Sequence, residues 1–391
     1  TGNAYDVRFS PGGSSGGTVT AVTANMAVLG NGTDTGNSIR MPAATSAVIG
    51  VFPTRGLVST AGIAPLDWLL DNTGPIARTV TDAAIALSVM AGEDPLDPRT
   101  AEFTGHAQPG PFTRYLKTDA LKGKRFAVPA FILKGAGIPF HGLPAEVPDE
   151  LAVQQEAKAA VPLDPLTRAA FMAAIAELRA AGATVLIDVD ILPERFARTA
   201  TRISTYAYLR QGTEQFLHAF GPAQYTSVAQ YATAVGTPLA PTLLGEESDY
   251  ARMGSIEITQ RNIETDPAAD ANYHDPRRRT LAAYLEPLDR LHLDGYVYPA
   301  IQMPPPDETM PQDGQISGGP HSATGWVNMI GVPAVVVVGG FYRGGLPFGL
   351  EFSARPWHDG DLLGYAYAWE QATHHRRPPV LVAAGLLPAA P

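Results

Sequence analysis

The sequence predicts an α/β protein: one compact domain with a mixed, largely parallel central sheet flanked by helices. Three observations carry this expectation. Residues 125–131 and 184–189 are apolar strand-like runs, and 164–182 between them carries helix start and stop signals, the order of a parallel strand–helix–strand unit. Val335-Val336-Val337-Val338 is a continuous apolar run, the kind buried on both faces of a sheet. No repeat, polar linker or composition break interrupts the 391 residues, and 45% hydrophobic content suffices for a sizeable core.

Taken in order, Gly12 to Gly17 is too rich in glycine for a regular element. Residues 18–29 are expected to form a buried helix, 30–37 a loop with Ser38 at its exit, and Pro42-Ala43-Ala44 a helix start. Residues 48–52 read as a short buried strand ended by Pro53, and 54–78 as mostly loop. Thr79 can cap the next helix with Asp82 three residues on, and Gly92 stops it. Residues 135–163, with several prolines and glycines, are expected to be a surface insertion. Asp164-Pro165 opens a strong helix with Phe171, Ile175 and Leu178 on one face and Gly182 at its end.

Residues 193–290 read as mostly helical, broken near 236–248, and gather aromatics including Tyr206, Tyr208, Phe216 and Phe220. Core packing accounts for such rings at least as well as a pocket does. Residues 295–301 form a strand, 313–325 a glycine-rich loop, Gly344-Gly345 a hairpin turn into 346–352, and 361–373 the last helix. The domain divides into a core with the glycine-rich stretch (1–125), insertions and helices on the substrate side (135–163 and 193–290), and the C-terminal part of the core (291–391).

The formal net charge of −10 argues against a nucleic-acid or anionic-membrane partner. Arg277-Arg278-Arg279 and His374-His375-Arg376-Arg377 are short enough to be solvated surface. The absence of cysteine excludes disulfides, thiolate nucleophiles and cysteine-ligated zinc. No histidine spacing suggests a metal site, and no apolar run is long enough to span a bilayer. Thr1 to Asp6 carry neither an initiator methionine nor a targeting pattern and read as the interior of a longer protein.

The chemistry concentrates in residues 11–40. Pro11-Gly12-Gly13-Ser14-Ser15-Gly16-Gly17 lacks the Lys-Ser/Thr of a phosphate-binding loop. It matches G-x-S-x-G around Ser14 and again around Ser15, but without the apolar strand that precedes a nucleophile elbow. A flexible loop is the remaining local reading.

Four blocks in fixed order resemble the amidase signature family of serine hydrolases. They are residues 11–17; Gly32-Thr33-Asp34-Thr35-Gly36-Asn37-Ser38-Ile39-Arg40-Met41-Pro42-Ala43; residues 50–59, continuing to Asp71, Gly74-Pro75-Ile76-Ala77-Arg78-Thr79 and Asp82; and Gly331-Val332-Pro333-Ala334 with residues 345–350. The resemblance implies the amidase signature fold and a Ser–cis-Ser–Lys triad. Ser38 would be the nucleophile and Ser14 the proton shuttle, preceded by a cis Gly13–Ser14 peptide. Backbone N–H groups of Thr35, Gly36, Asn37 and Ser38 would form an oxyanion hole, each donor worth about 2.7–4 kcal/mol. A serine hydroxyl needs a base to take its proton, and a buried neutral lysine can be that base. The commoner pattern has glycine at position 37, and Asn tolerates positive φ better than most residues. Asp34 and Arg40 are expected to hold the loop by charge-assisted hydrogen bonds.

The family's lysine lies upstream of the shuttle serine, so it is expected before Thr1. The chain's five lysines, Lys117, Lys122, Lys124, Lys134 and Lys158, all lie far downstream. The resemblance implies cleavage of a C–N acyl bond without a cofactor or metal, by a cytoplasmic monomer or homodimer. Trp68, Leu69, Tyr206, Ile301, His321 and Trp326 are candidate pocket residues for a neutral, aryl amide or carbamate (urethane) substrate. Two other readings stay open: the amidase subunit of a tRNA-dependent amidotransferase, whose Asn-Leu-Ala-Arg-Tyr-Asp-Gly-type string has no match in 200–235, and a binding protein that has lost its base.

Overall fold

The computed structural model describes residues 1–138, 141–246, 259–309 and 320–386. Its frame is an eight-stranded mixed sheet: β1 (Leu29–Asp34), β2 (Ile49–Phe52), β3 (Asn72–Ala77), β4 (Arg125–Val128), β5 (Thr184–Ile187), β6 (Gly295–Pro299), β7 (Ala334–Phe341) and β8 (Pro347–Ser353), in the order β1-β3-β2-β7-β8-β6-β4-β5. The expectation of a largely parallel sheet is corrected. Only β6–β4 and β4–β5 pair in parallel; β1–β3, β3–β2, β2–β7, β7–β8 and β8–β6 are antiparallel. The strand–helix–strand unit at 125–187 is parallel as its order implies, and the strands around the glycine-rich stretch are not.

Two of these strands depart from expectation. β1 lies in the stretch read as loop, and β3 in the segment 54–78. Both contain glycine or proline in place of an apolar alternation. They pair with each other over six residues, from Leu29 opposite Ala77 to Asp34 opposite Asn72, so the partner strand supplies what intrinsic propensity lacks.

Side chains on β7 alternate between two cores. Val335 and Val337 pack with Phe348, Leu350 and Phe352 beneath α3 (Val80–Met90) and the helices Pro165–Ala180 and Asp359–Thr373. Val336 faces the other way, against α1 (Gly16–Thr23) and α2 (Arg40–Ser46). Every position of 334–338 is buried, as expected for a strand covered on both faces. Local signals fix two of the helices. Thr79 Oγ1 accepts from Asp82 N (3.1 Å), and Asp164 Oδ1 accepts from Leu166 N (2.8 Å). The expected helix at 18–29 is shorter, giving way to β1, and the strand expected at 125–131 ends at Val128, followed by the turn of helix Ala130–Lys134. The break after the aromatic-rich helices begins at Gly236, in the left-handed region. The loop expected at 313–325 lies outside the described residues up to residue 319.

The surface insertion is not wholly superficial. Leu143 and Val147 pack into a buried cluster with Tyr206 and Leu209. Among the described residues no helix is long and apolar enough to cross a membrane.

Candidate active site

The glycine-rich stretch runs into α1, and the loop 35–39 links the end of β1 to α2. The two meet where Ser15 N donates to Ser38 O (3.1 Å). Ser15 Oγ donates to Thr33 O (3.2 Å) and ties the start of α1 to β1. The Gly13–Ser14 peptide is cis. Ser14 is exposed and Ser38 half-buried. The approach requires Gly32: a Cβ there would stand 2.8 Å from Ile39 Cγ1, Ile76 Cδ1 and Ser15 Oγ.

Asp34 holds the loop into a ring. Its Oδ2 accepts from Ile39 N (2.9 Å), Arg40 N (3.3 Å) and Arg40 Nε (3.1 Å). Arg40 then reaches across the molecule. Its Nη1 donates to Glu351 Oε1 (2.9 Å) and Thr324 Oγ1 (2.8 Å), and its Nη2 to Gly36 O (3.2 Å) and Asn328 Oδ1. Its guanidinium also lies 5.2 Å from the Phe52 ring centroid. Asn328 Nδ2 closes the circuit on Asp34 O and Oδ1 (both 2.8 Å). Asp34, Arg40, Asn328 and Glu351 are all fully buried. Burial pushes the Glu351 carboxyl up to about 7 against the pull of Arg40, and among the described residues its Oε2 has no hydrogen-bond partner.

With its own atoms bound this way, the loop keeps its donors unspent. Among the described residues, no hydrogen bond uses the backbone N–H of Gly36, Asn37 or Ser38. Asn37 is not among the residues with positive φ, so the glycine of the commoner pattern is not required here for backbone reasons. Thr35 is held separately, its Oγ1 donating to Asp71 Oδ1 (2.5 Å).

The candidate pocket residues divide. Trp68 lines a cavity of about 490 Å³ together with Thr33, Asp71, Arg99, Phe216 and Phe220. That cavity borders the serine-bearing loop through Thr33 and through Asp71, which bonds Thr35. Leu69 packs in the core. Tyr206 is buried with its ring 4.6 Å from that of His141. Ile301 is fully buried beside Ile39 and Met41, and Trp326 is fully buried among Phe131, Phe196, Tyr284 and Tyr298. Ile301 and Trp326 are therefore core residues, not pocket lining. His321 is exposed, and its carbonyl accepts from Gln302 N (2.6 Å).

Three residues around the loop escaped the sequence reading of the site: Asn328, Glu351 and Thr324. The first two left a local trace: Asn328 is the lone polar residue of the buried element Trp326–Ile330, and Glu351 is the lone charged residue of the buried strand Pro347–Ser353. No cluster of three or more histidines or acids able to hold a metal occurs among the described residues. Lys124 pairs with Asp294 (2.9 Å) and Lys134 with Glu194 (3.4 Å), at the far edge of the sheet.

Comparison with known proteins agrees with this architecture. The Amidase family model matches residues 1–147. The chain is 31% identical to a glutamyl-tRNA(Gln) amidotransferase subunit from Moorella thermoacetica, over 97% of this chain and 71% of that protein. The corresponding protein from Gloeobacter violaceus is likewise 31% identical, over 99% and 72%. Among solved structures, the peptide amidase PAM bound to chymostatin superposes with a TM-score of 0.66 at 27% identity, covering 97% of this chain and 70% of that one. A bacterial aryl acylamidase shares the fold, with a TM-score of 0.60 at 22% identity over 95% and 68%. The fold and the fixed order of blocks are those of an amidase-family enzyme. The chain belongs to the amidase signature family.

Proposed function

We propose that this chain is a serine amidohydrolase that cleaves a C–N acyl bond through an acyl-enzyme, with Ser38 as nucleophile and Ser14 as proton shuttle. The observation that supports this best is the joining of the two serine segments at Ser15 N–Ser38 O (3.1 Å) beside a loop with unused N–H donors. The hydroxyl of Ser38 would attack the acyl carbon and lose its proton through Ser14 to a base, a lysine in this family. The donors of residues 35–38 would bind the oxyanion as it forms, where they stabilise the transition state more than the substrate. The amine leaves with a proton, and water releases the acid by the same steps.

For the substrate, the cavity favours a neutral aryl amide or carbamate. Trp68, Phe216 and Phe220 line it, and Arg99 at its wall is already ion-paired, Nη2 to Asp97 Oδ2 (2.8 Å). Glutamine hydrolysis within an amidotransferase is the second reading, favoured by the identity to amidotransferase subunits over nearly the whole chain.

The test is labelling with a fluorophosphonate, followed by peptide mapping. The expected result is a single adduct on Ser38 that Ser38→Ala abolishes, with hydrolysis falling by roughly 10³-fold or more. An adduct elsewhere, or equal labelling of the variant, overturns the assignment. Parallel assays with an anilide and with glutamine separate the two substrate readings.

A further inference from the structure

We propose that Asp71 is the positioning residue of the oxyanion loop, holding Thr35 in place from the side opposite Arg40. The inference deepens the functional reading above and rests on it for its catalytic meaning.

Asp71 ends the turn 66–71. Its two carboxylate oxygens have separate duties. Oδ2 accepts from Leu66 N (2.9 Å) and Asp67 N (3.1 Å), which closes the turn on itself. Oδ1 is not needed for that and accepts instead from Thr35 Oγ1 (2.5 Å). Both residues are more than nine-tenths buried, so water does not compete for the bond, which is short and charge-assisted.

The turn is a rigid platform. Arg99 Nη1 donates to Trp68 O (2.9 Å) and Arg55 Nη2 to Leu70 O (3.3 Å). Asp67 Oδ2 meets His141 Nδ1 (2.6 Å) and the Thr205 hydroxyl. Four segments remote in sequence thus fix the turn that presents Asp71. The loop 35–38 is anchored at Asp34, Gly36, Ile39 and Arg40 from the α2 side. Thr35, the first residue of the loop, has no side-chain anchor on that side; its hydroxyl goes to Asp71. Removing this bond frees the peptide that carries the first donors of the hole. A displacement of about 1 Å in such a group lowers a rate by up to about 100-fold.

The test uses Thr35→Val, Asp71→Ala, Asp71→Asn and the Thr35→Val/Asp71→Ala double variant. Thr35→Val removes one hydroxyl at constant shape. Asn at position 71 can keep both duties, its Oδ1 on the turn and its Nδ2 donating to Thr35 Oγ1. The first readout is the rate of fluorophosphonate attachment to Ser38, with kcat and KM on an anilide. The second is hydrogen–deuterium exchange of residues 35–38. Thr35→Val and Asp71→Ala are expected to slow labelling and lower kcat by about 10- to 100-fold with KM little changed, and to speed exchange of the loop. The double variant is expected to be no worse than the worse single one, and Asp71→Asn to stay near wild type. Wild-type exchange and labelling in Thr35→Val, or additive losses in the double variant, overturn the proposal. If the wild type itself fails to label, the functional reading fails, while exchange still decides whether Asp71 holds the loop.

Discussion

At the scale of single residues, the serine-bearing loop depends on charges placed where water cannot reach. Arg40 is surrounded by Asp34, Glu351, Asn328 and Thr324, all fully buried. A buried ion pair stabilises little by itself, because desolvation offsets the attraction, but removing one partner leaves the other charge uncompensated. Arg40→Met is therefore expected to cost about 3–5 kcal/mol, read as a lower urea midpoint. It should also abolish fluorophosphonate labelling, because Gly36 O and Asp34 lose the group that aims the loop. A loss below about 1 kcal/mol, the scale of an exposed pair, would show that the network bears little of the fold.

At the scale of elements, α2 lies against β8, and the contact is close because β8 carries glycine. A Cβ on Gly349 would stand 2.3 Å from Ala44 Cβ. Gly349→Ala must push α2 outward, and α2 begins two residues after Ser38. Overpacking of this kind costs about 1–3 kcal/mol. The expected outcome is a lower melting temperature with slower labelling of Ser38, and Ala44→Gly does not restore them, because the added Cβ would still stand 2.5 Å from the Ala44 Cα. An unchanged melting temperature in Gly349→Ala would show that the contact is looser than this spacing implies. The β1–β3 pair behaves similarly: neither strand has a strand-like sequence, and each is defined by its partner.

At the scale of the whole molecule, buried carboxyls set the dependence of stability on pH. Burial raises Glu351 to about 7, and Asp71 and Asp359 each to about 6. A carboxyl whose folded pKa exceeds its unfolded value of about 4 binds more protons in the folded state. Its contribution to stability is complete below about pH 4 and is lost as pH rises through its folded pKa. Melting temperatures are therefore expected to decline between about pH 4 and 7. Glu351→Gln should flatten the upper part of that decline, since its amide does not titrate. An unchanged slope in the variant would remove Glu351 from the account. The exposed pairs, such as Arg8–Asp6 and Arg290–Glu286, contribute little over this range.

Legibility from sequence followed the range of the interaction. The capped helices were readable because Thr79 and Asp82, or Asp164 and Pro165, act within one turn. The buried run 335–338 was readable because continuous apolarity is itself the signal. Asp34 and Arg40 were expected to hold the loop, since both flank Ser38, and they do. Their remaining partners were not legible: Asn328 lies 288 residues from Arg40 and Glu351 311 residues away. Aromatic and apolar type did not separate pocket from core, so Trp68 reached the cavity while Trp326 and Ile301 were buried. Strand direction was misjudged for the same reason. A βαβ pattern reports only on the strands it joins, here β4 and β5.

The sequence by itself determined the α/β class, the capped helices, the resemblance to amidase signature enzymes and the two serines at its centre, because each is written in neighbouring residues or a fixed spacing. Only the tertiary structure decided the sheet's directions, the edge strand β1, the buried circuit behind Ser38 and the hold of Asp71 on Thr35. Those rest on contacts between distant segments, which form only when burial removes water as a competing partner.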